Sequence, residues 1–216
     1  MSIRIRRATE KDLDFVTWAM LTASRSQLDR GIWEYLLDAS EDDTLAFLRR
    51  LGTTQVVHMN HLSLFLVAEV DGEPAAAMCA YDSSTQGFSV VGAEVPAAAS
   101  ACGFDVTSGE FARRAGVMMS GFFHQVELPP VMWTIECVAT LPSFRRRGLA
   151  DALLVEHLRH GRELGYEHAS IGVYLGNDPA RAAYLKAGFD IVSEVRSPGW
   201  DAEIGCPGTE LMVRAL

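Results

Sequence analysis

The sequence predicts a mixed α/β domain in which strands and helices interleave, and three observations predict it. An apolar run at residues 131–139 is closed by Pro142, which has no N–H for a sheet ladder. Directly after it, Leu149, Leu153, Leu154, Leu158 and Leu164 recur mostly at three- and four-residue spacing, the period of a helix over 149–164. Upstream, the apolar stretch 62–70 meets Asp71-Gly72 and returns through 74–81, the pattern of a hairpin.

The remaining elements follow in order. Ile3 and Ile5 alternate with Arg4 and Arg6, the period of a half-buried strand. Thr9 is a candidate N-cap for a helix through Leu13, Phe15, Val16 and Met20. A second helical region spans about 32–50 in two pieces, with Ser40 as the cap between them. Residues 83–130 are punctuated by Gly87, Gly92, Pro96, Gly103 and Gly109. That is too long for a plain connection, so the segment should hold helices of its own. One is expected over 108–123, where Phe111, Met118, Met119 and Phe122 read as core. After the leucine helix come a strand at 168–175, a helix with Asn177 or Asp178 as cap and Pro179 at its start, and Gly188 at its end. A strand at 189–195, a turn at Ser197-Pro198-Gly199 and a last strand at 211–215 complete a single domain over 1–216, with 83–130 as an insertion.

Composition narrows the function. Hydrophobic residues at 49% and charged residues at 22% are those of a soluble globule with a full core. A net charge of −9 argues against nucleic-acid binding, which needs a basic face. Cys79, Cys102, Cys137 and Cys206 make neither a metal-ligand spacing nor a redox pair, so free thiols in a reducing compartment are expected. The N-terminus from Met1 is charged and alternating, without an apolar signal region. No apolar run approaches a membrane span. The expectation is a cytoplasmic protein with no metal, nucleic-acid or membrane partner.

The stretch with the most chemistry is Arg145-Arg146-Arg147-Gly148-Leu149-Ala150, between the strand and the leucine helix. The first N–H groups of a helix lack internal partners and carry the positive end of its dipole. Gly148 lets a ligand approach the backbone, and the arginines add charge and donors. The expected guest is a phosphate or pyrophosphate; a basic helix start without a ligand is the plainer alternative. Neither a Gly-x-x-x-x-Gly-Lys-Ser/Thr nor a Gly-x-Gly-x-x-Gly pattern is present.

The hexapeptide resembles the Arg/Gln-x-x-Gly-x-Gly/Ala signature of the GNAT acetyltransferase superfamily. Downstream by one helix and one strand, Asn177-Asp178-Pro179-Ala180-Arg181-Ala182-Ala183-Tyr184-Leu185-Lys186-Ala187-Gly188-Phe189 resembles that superfamily's Asn-x-x-Ala-x-x-x-Tyr-x-x-x-Gly-Phe element. The resemblance covers roughly residues 131–195; 83–130 matches nothing specific. It implies the GNAT fold, a mixed twisted sheet whose central strands splay apart and are flanked by helices. It implies acetyl-CoA as acyl-donor substrate, its pantetheine arm on main-chain atoms of Cys137, Val138 and Ala139. Its pyrophosphate would lie on Arg145, Arg146, Arg147, Gly148, Leu149 and Ala150, with Asn177, Ala180 and Tyr184 along the other wall.

Acyl transfer to an amine needs a base for the ammonium, a donor for the carbonyl oxygen and an acid for the departing thiolate. Tyr184 is the candidate acid, since a phenol donates both a proton and a hydrogen bond; packing of its helix on the sheet is the alternative. A backbone N–H near Val138 is the candidate oxyanion donor. Glu136, an acid inside an apolar strand, is the candidate base, because burial raises a carboxyl pKa. A salt-bridged or edge-facing Glu136 is the alternative, in which case Glu34, His124 or solvent would take the proton. Asn177 as a helix cap alone competes with a cofactor contact. The expected function is an acyl-CoA-dependent N-acetyltransferase acting on a primary amine of a small molecule, peptide or protein. The acidic balance favours a cationic acceptor. Homodimer formation, a non-catalytic CoA-binding sensor and a nucleotide-binding protein stay open.

Overall fold

The computed structural model describes residues 2–129 and 131–216; Met1, and Pro130 at the end of the 83–130 segment, lie outside the described residues. One seven-stranded sheet runs through the molecule in the order β1-β2-β3-β4-β5-β7-β6. The strands are β1 (Ile3–Arg7), β2 (Phe65–Val70), β3 (Glu73–Asp82), β4 (Trp133–Thr140), β5 (His168–Tyr174), β6 (Asp190–Arg196) and β7 (Gly208–Ala215). Every pairing is antiparallel except β4 with β5.

That parallel pairing is short. It joins Trp133 to Ala169, Thr134 to Ser170 and Ile135 to Ile171, and then stops. Beyond Ile135, β4 keeps its bonds to β3 alone, and β5 keeps its bonds to β7 as far as Tyr174. The two central strands therefore splay. A β-bulge adds to the divergence: Glu136 pairs with Cys79 and Ala139 with Ala77, so Cys137 and Val138 both stand opposite Met78. Cys137 takes a φ of 54° to make it. A bulge leaves backbone groups out of the ladder and bends the strand.

Helices cover both faces. On one side lie α1 (Leu13–Arg25), α2 (Ile32–Leu37) and α3 (Glu41–Leu51). With them pack α4 (Ser83–Gln86), α5 (Phe88–Ala101) and α6 (Gly109–Ser120). Val16, Met20, Phe47, Leu48 and Leu51 are fully buried there against Phe65, Val67, Ala77 and Cys79. On the other side lie α7 (Leu149–Glu163) and α8 (Asp178–Lys186), whose Leu153, Leu158 and Tyr184 meet Ala76, Met78, Ala80 and Ile135. α9 (Pro198–Glu203) closes the β6–β7 connection. From Ala76 to Ala80 the alanines of β3 divide by period two between the layers, Ala77 to one and Ala76 and Ala80 to the other. Small side chains suit a central strand with helices packed on both faces.

The local chemistry behaves as the residue types require. Asp12 accepts from the Thr9 N–H and hydroxyl, each at 2.8 Å, and from Arg6 in a fork at 2.7 and 2.7 Å. Thr9 opens a 3₁₀ turn, Glu10–Asp12, rather than α1 itself. Ser40 accepts from Asp43 N at 3.2 Å and separates α2 from α3. The insertion holds helices of its own, as expected, three among its described residues, because α5 forms across Gly92 and Pro96. Three expectations shift. Ser197-Pro198-Gly199 leads into α9 rather than only a turn, β7 begins at Gly208, and the first three residues of the 62–70 stretch make a 3₁₀ turn ahead of β2. Among the described residues, no helix is long and apolar enough to cross a membrane.

The seat of α7 decides where the basic turn sits. His157 Nε2 donates to Met78 O at 3.0 Å, and Trp133 Nε1 donates to His157 O at 3.0 Å. Between them, α7 comes close enough that a Cβ on Gly161 would lie 2.7 Å from Trp133 Cδ1. Gly161→Ala is expected to destabilise the fold by about 1–3 kcal/mol, the usual cost of overpacking, read as a lower urea midpoint at unchanged m-value. An unchanged midpoint would mean that this contact does not hold α7.

Candidate active site

The gap between β4 and β5 opens into a cavity of about 1030 Å³. Its walls include Glu136, Cys137, Val138 and Ala139 from β4, Arg145 and Ala150 from the basic turn, and Asn177, Ala180 and Tyr184 from α8 and its cap. Two sequence motifs 32 residues apart at Arg145 and Asn177 thus face one space. Of the candidate cofactor residues, Arg146, Arg147, Gly148 and Leu149 lie beside the cavity wall and not in it.

The turn is built by backbone conformation. Arg146 and Gly148 both take left-handed φ, 60° and 76°. Ala152 N–H bonds Gly148 O at 3.0 Å, so the earlier N–H groups of α7 have no intrahelical acceptor. Successive N–H groups curled this way form an anion-binding concavity. A Cβ on Gly148 would meet nothing within 4 Å, which leaves the space over the turn open to a ligand. The arginines divide the work. Arg147 bonds Ser143 O at 2.9 Å and lies over the Phe144 ring at 5.0 Å, which braces the turn. Arg145 bonds Thr140 O at 3.3 Å at the end of β4 and lines the cavity. The Leu149 side chain is buried in the core, so it offers the site its N–H alone.

Among the described residues, the Glu136 carboxylate has no ion pair and no hydrogen-bond partner. It is half-buried and lines the cavity, and burial pushes its carboxyl up to about 7. A base poised near neutrality is suited to take a proton from an ammonium group. Its charge also reaches Tyr81, Tyr174 and Tyr184, each already raised by burial. Tyr184 is therefore held as the neutral phenol, the form that donates. Tyr174 spends its hydroxyl on Ser24 O at 3.2 Å.

Asn177 does what a cap does, accepting from Ala180 N at 3.2 Å, and its Nδ2 donates to Ser26 Oγ at 2.7 Å. It ties the end of α1 to the start of α8 across the cleft. Glu34 falls away as a base: Arg25 grips it at 2.8 and 2.6 Å, it accepts from Gly31 N, and it does not line the cavity. His124 does line it. Sequence reasoning passed over Asn60, a buried wall residue whose Nδ2 lies 3.7 Å from Cys137 Sγ. It sits in a loop far from either motif, and no local pattern marks it.

The model of the acetyltransferase (GNAT) family matches residues 26–189. The chain belongs to the GNAT family. Solved structures agree on the fold. An acetyltransferase crystal structure shares 18% identity over 98% of both chains with a TM-score of 0.68. An N-acetyltransferase from Staphylococcus aureus Mu50 shares 17% over 99% of this chain and 100% of its own, TM-score 0.61. The ribosomal-protein-S18-alanine N-acetyltransferase from Escherichia coli shares 16% over 99% and 94%, TM-score 0.52. Such identities carry architecture and not acceptor. No curated protein matches the chain.

The raised carboxyl of this GNAT protein has a thermodynamic signature. A carboxyl whose folded pKa exceeds its unfolded value stabilises the fold fully below the unfolded pKa, and that contribution is lost as pH rises through the folded one. For Glu136 the window runs from 4.5 to about 7. Glu136→Gln is expected to raise the melting temperature of the ligand-free protein at pH 8 and to leave it nearly unchanged at pH 4.5. Equal effects at both pH values would mean that Glu136 is not buried as a free acid.

Proposed function

We propose that this GNAT protein is an N-acetyltransferase that moves the acetyl group of acetyl-CoA to a primary amine. The observation that carries the reading is a single cavity. It is walled by the unpaired stretch of β4, the curled basic turn, a free carboxyl near neutrality and a buried phenol on the facing helix.

In this reading the pantetheine arm lies along Cys137, Val138 and Ala139, whose side toward β5 has no strand partner. The pyrophosphate rests on the N–H groups at the start of α7 with Arg145 beside it. Glu136, directly or through a water, takes one proton from the acceptor ammonium. The freed lone pair adds to the thioester carbonyl, and the N–H of Val138 stabilises the oxygen as it gains charge. As the carbonyl re-forms, the C–S bond breaks and the thiolate takes the Tyr184 proton. The nitrogen gives its second proton to the Tyr184 phenolate, through water, as the amide forms, and this restores the phenol. Glu136 then releases its proton to solvent.

Acetyl-CoA turnover over a panel of amines, read by free thiol, tests the reaction. Binding of CoA with no turnover of any amine would instead favour a sensor. Activity is expected to rise with pH through about 7 as Glu136 ionises. Glu136→Gln should lower turnover at least about tenfold, toward the 10²–10⁴ typical of a general base, and flatten the acidic limb. A wild-type profile in that variant would reject Glu136.

Two further variants separate binding from chemistry. Tyr184→Phe should lower kcat with little change in acetyl-CoA affinity; equal losses in both would assign Tyr184 to packing. Gly148→Glu should abolish CoA binding by filling the open space over the turn and adding like charge. Arg145→Ala should cost about 1.5–3 kcal/mol in affinity. Calorimetry showing unchanged affinity in both would place CoA elsewhere.

A further inference from the structure

Acetyl-CoA, as placed above, uses one half of the cavity. The other half is a chamber made by the end of α1, by α2, and by the insertion helices α5 and α6 with the loop after them. Its walls carry Trp33, Phe88, Phe111, Met118, Met119 and Phe122. Phe88, Phe122 and Trp200 form a continuous run of ring contacts, tilted and then edge-to-face, with centroids 5.1 Å apart at each step. Trp200 Nε1 bonds Val117 O and Met118 O, each at 2.9 Å, and fastens α6 to α9. The roof is thus fixed to the far end of the sheet.

Charge is scarce in this chamber. Among the described residues of the cavity wall, Glu136 is the one carboxylate and Arg145, at the phosphate end, the one cation. Outside the wall, Glu34 is engaged by Arg25, Glu110 and Glu203 by Arg113, and Asp38 by Arg114, and Glu94 on α5 does not line the cavity. The acidic balance of the sequence therefore does not reach the chamber.

Among the described residues, two polar atoms of wall residues are buried without a partner, Asn60 Oδ1 and His124 Nδ1. Asn60 is 2% exposed, and its loop is held by a backbone bond to His58 Nδ1 at 3.2 Å. The His124 tautomer follows from its neighbour. Thr209 Oγ1 spends its hydrogen on Gly121 O at 2.6 Å, so His124 Nε2, 3.1 Å away, must donate to it. Nδ1 is then a bare lone pair, and burial lowers the ring's pKa and keeps it neutral. Unpaired buried acceptors are costly unless a ligand donates to them. These two atoms lie behind the wall, and Glu136 is the carboxylate that the apolar enclosure presents to a ligand.

Resting on the acetyltransferase reading, we propose that the acceptor is a small amine on an aromatic or branched apolar body. It carries neither a carboxylate nor a second cationic group, and it docks in the chamber under α5 and α6 with its N–H groups toward Glu136. A carboxylate there would meet Glu136 with no cation to pair it. A second ammonium or guanidinium would be buried without a counter-charge. A peptide chain behind the amine would have to pass the run of aromatic rings.

The test combines binding and turnover. The protein loaded with CoA is titrated calorimetrically with 2-phenylethylamine, agmatine, L-glutamate and an alanyl peptide, and the same four are assayed with acetyl-CoA. 2-Phenylethylamine is expected to bind and to be acetylated with a kcat/KM about 100-fold above the others, the scale on which apolar pockets and unpaired polar groups discriminate. Ala115→Trp, which fills the chamber, should weaken 2-phenylethylamine about tenfold or more while acetyl-CoA affinity holds. If Ala115→Trp does not fold, Met119→Arg gives the same reading. A preference for agmatine, glutamate or the peptide overturns this inference and leaves acetyl transfer standing. So does a CoA-binding protein that ignores 2-phenylethylamine. Failure to bind acetyl-CoA at all overturns the proposed function with it.

Discussion

The site depends on a ladder that stops. β4 and β5 share three register pairs, from Trp133 with Ala169 to Ile135 with Ile171, and then part. A sheet ordinarily satisfies its backbone groups strand by strand. Here the bulge at Cys137 and Val138 directs main-chain groups into the gap instead. The gap cannot close, because each strand is held on its outer side. β3 holds β4 as far as Thr140, and β7 holds β5 as far as Tyr174. The helices keep the gap in register with its chemistry. α7 starts where β4 ends and presents its N-terminus beside the opening. α8 starts where β5 ends and brings Tyr184 to the facing wall.

A second constraint is electrostatic. The fold pairs most of its buried or half-buried acids, as with Asp12 and Arg6, Glu34 and Arg25, or Glu210 and Arg181. Glu136 departs from that pattern. The neighbours its charge reaches are phenols and a thiol, none of them a cation. That arrangement sacrifices stability above the carboxyl's ordinary pKa and leaves a group that changes charge near neutrality. That charge change near neutrality, at the mouth of an open strand, is why the proposed reading gives the proton transfer to Glu136.

Residues 131–189 were the most legible, because their roles demand particular residue types. Gly148 stands where φ is 76°, Asn177 where a helix needs a side-chain acceptor, and Gly188 where α8 must end in a left-handed residue at φ 84°. The insertion was less legible. Gly92 and Pro96 argue against a helix by local propensity, yet α5 forms because Val91, Val95, Ala98 and Ala99 bury one face on the α-layer. Phe111, Met118, Met119 and Phe122 read as core and do pack with it, but they also wall the chamber, and composition does not separate those roles. Asn60 and the His124 tautomer were beyond reach of the sequence. Each depends on partners supplied by tertiary contacts with Cys137, His58, Thr209 and Gly121.

The central claim is that the unzipped strand and the curled turn are one binding surface. Amide hydrogen exchange with and without CoA tests it directly, since exchange reports protection residue by residue. CoA is expected to slow exchange at Cys137, Val138 and Ala139 together with the amides from Arg147 to Asp151, and to leave β1 unchanged. Protection absent from these amides, or confined to the separate cleft lined by Arg7, Asp82, His160 and Tyr166, would contradict it.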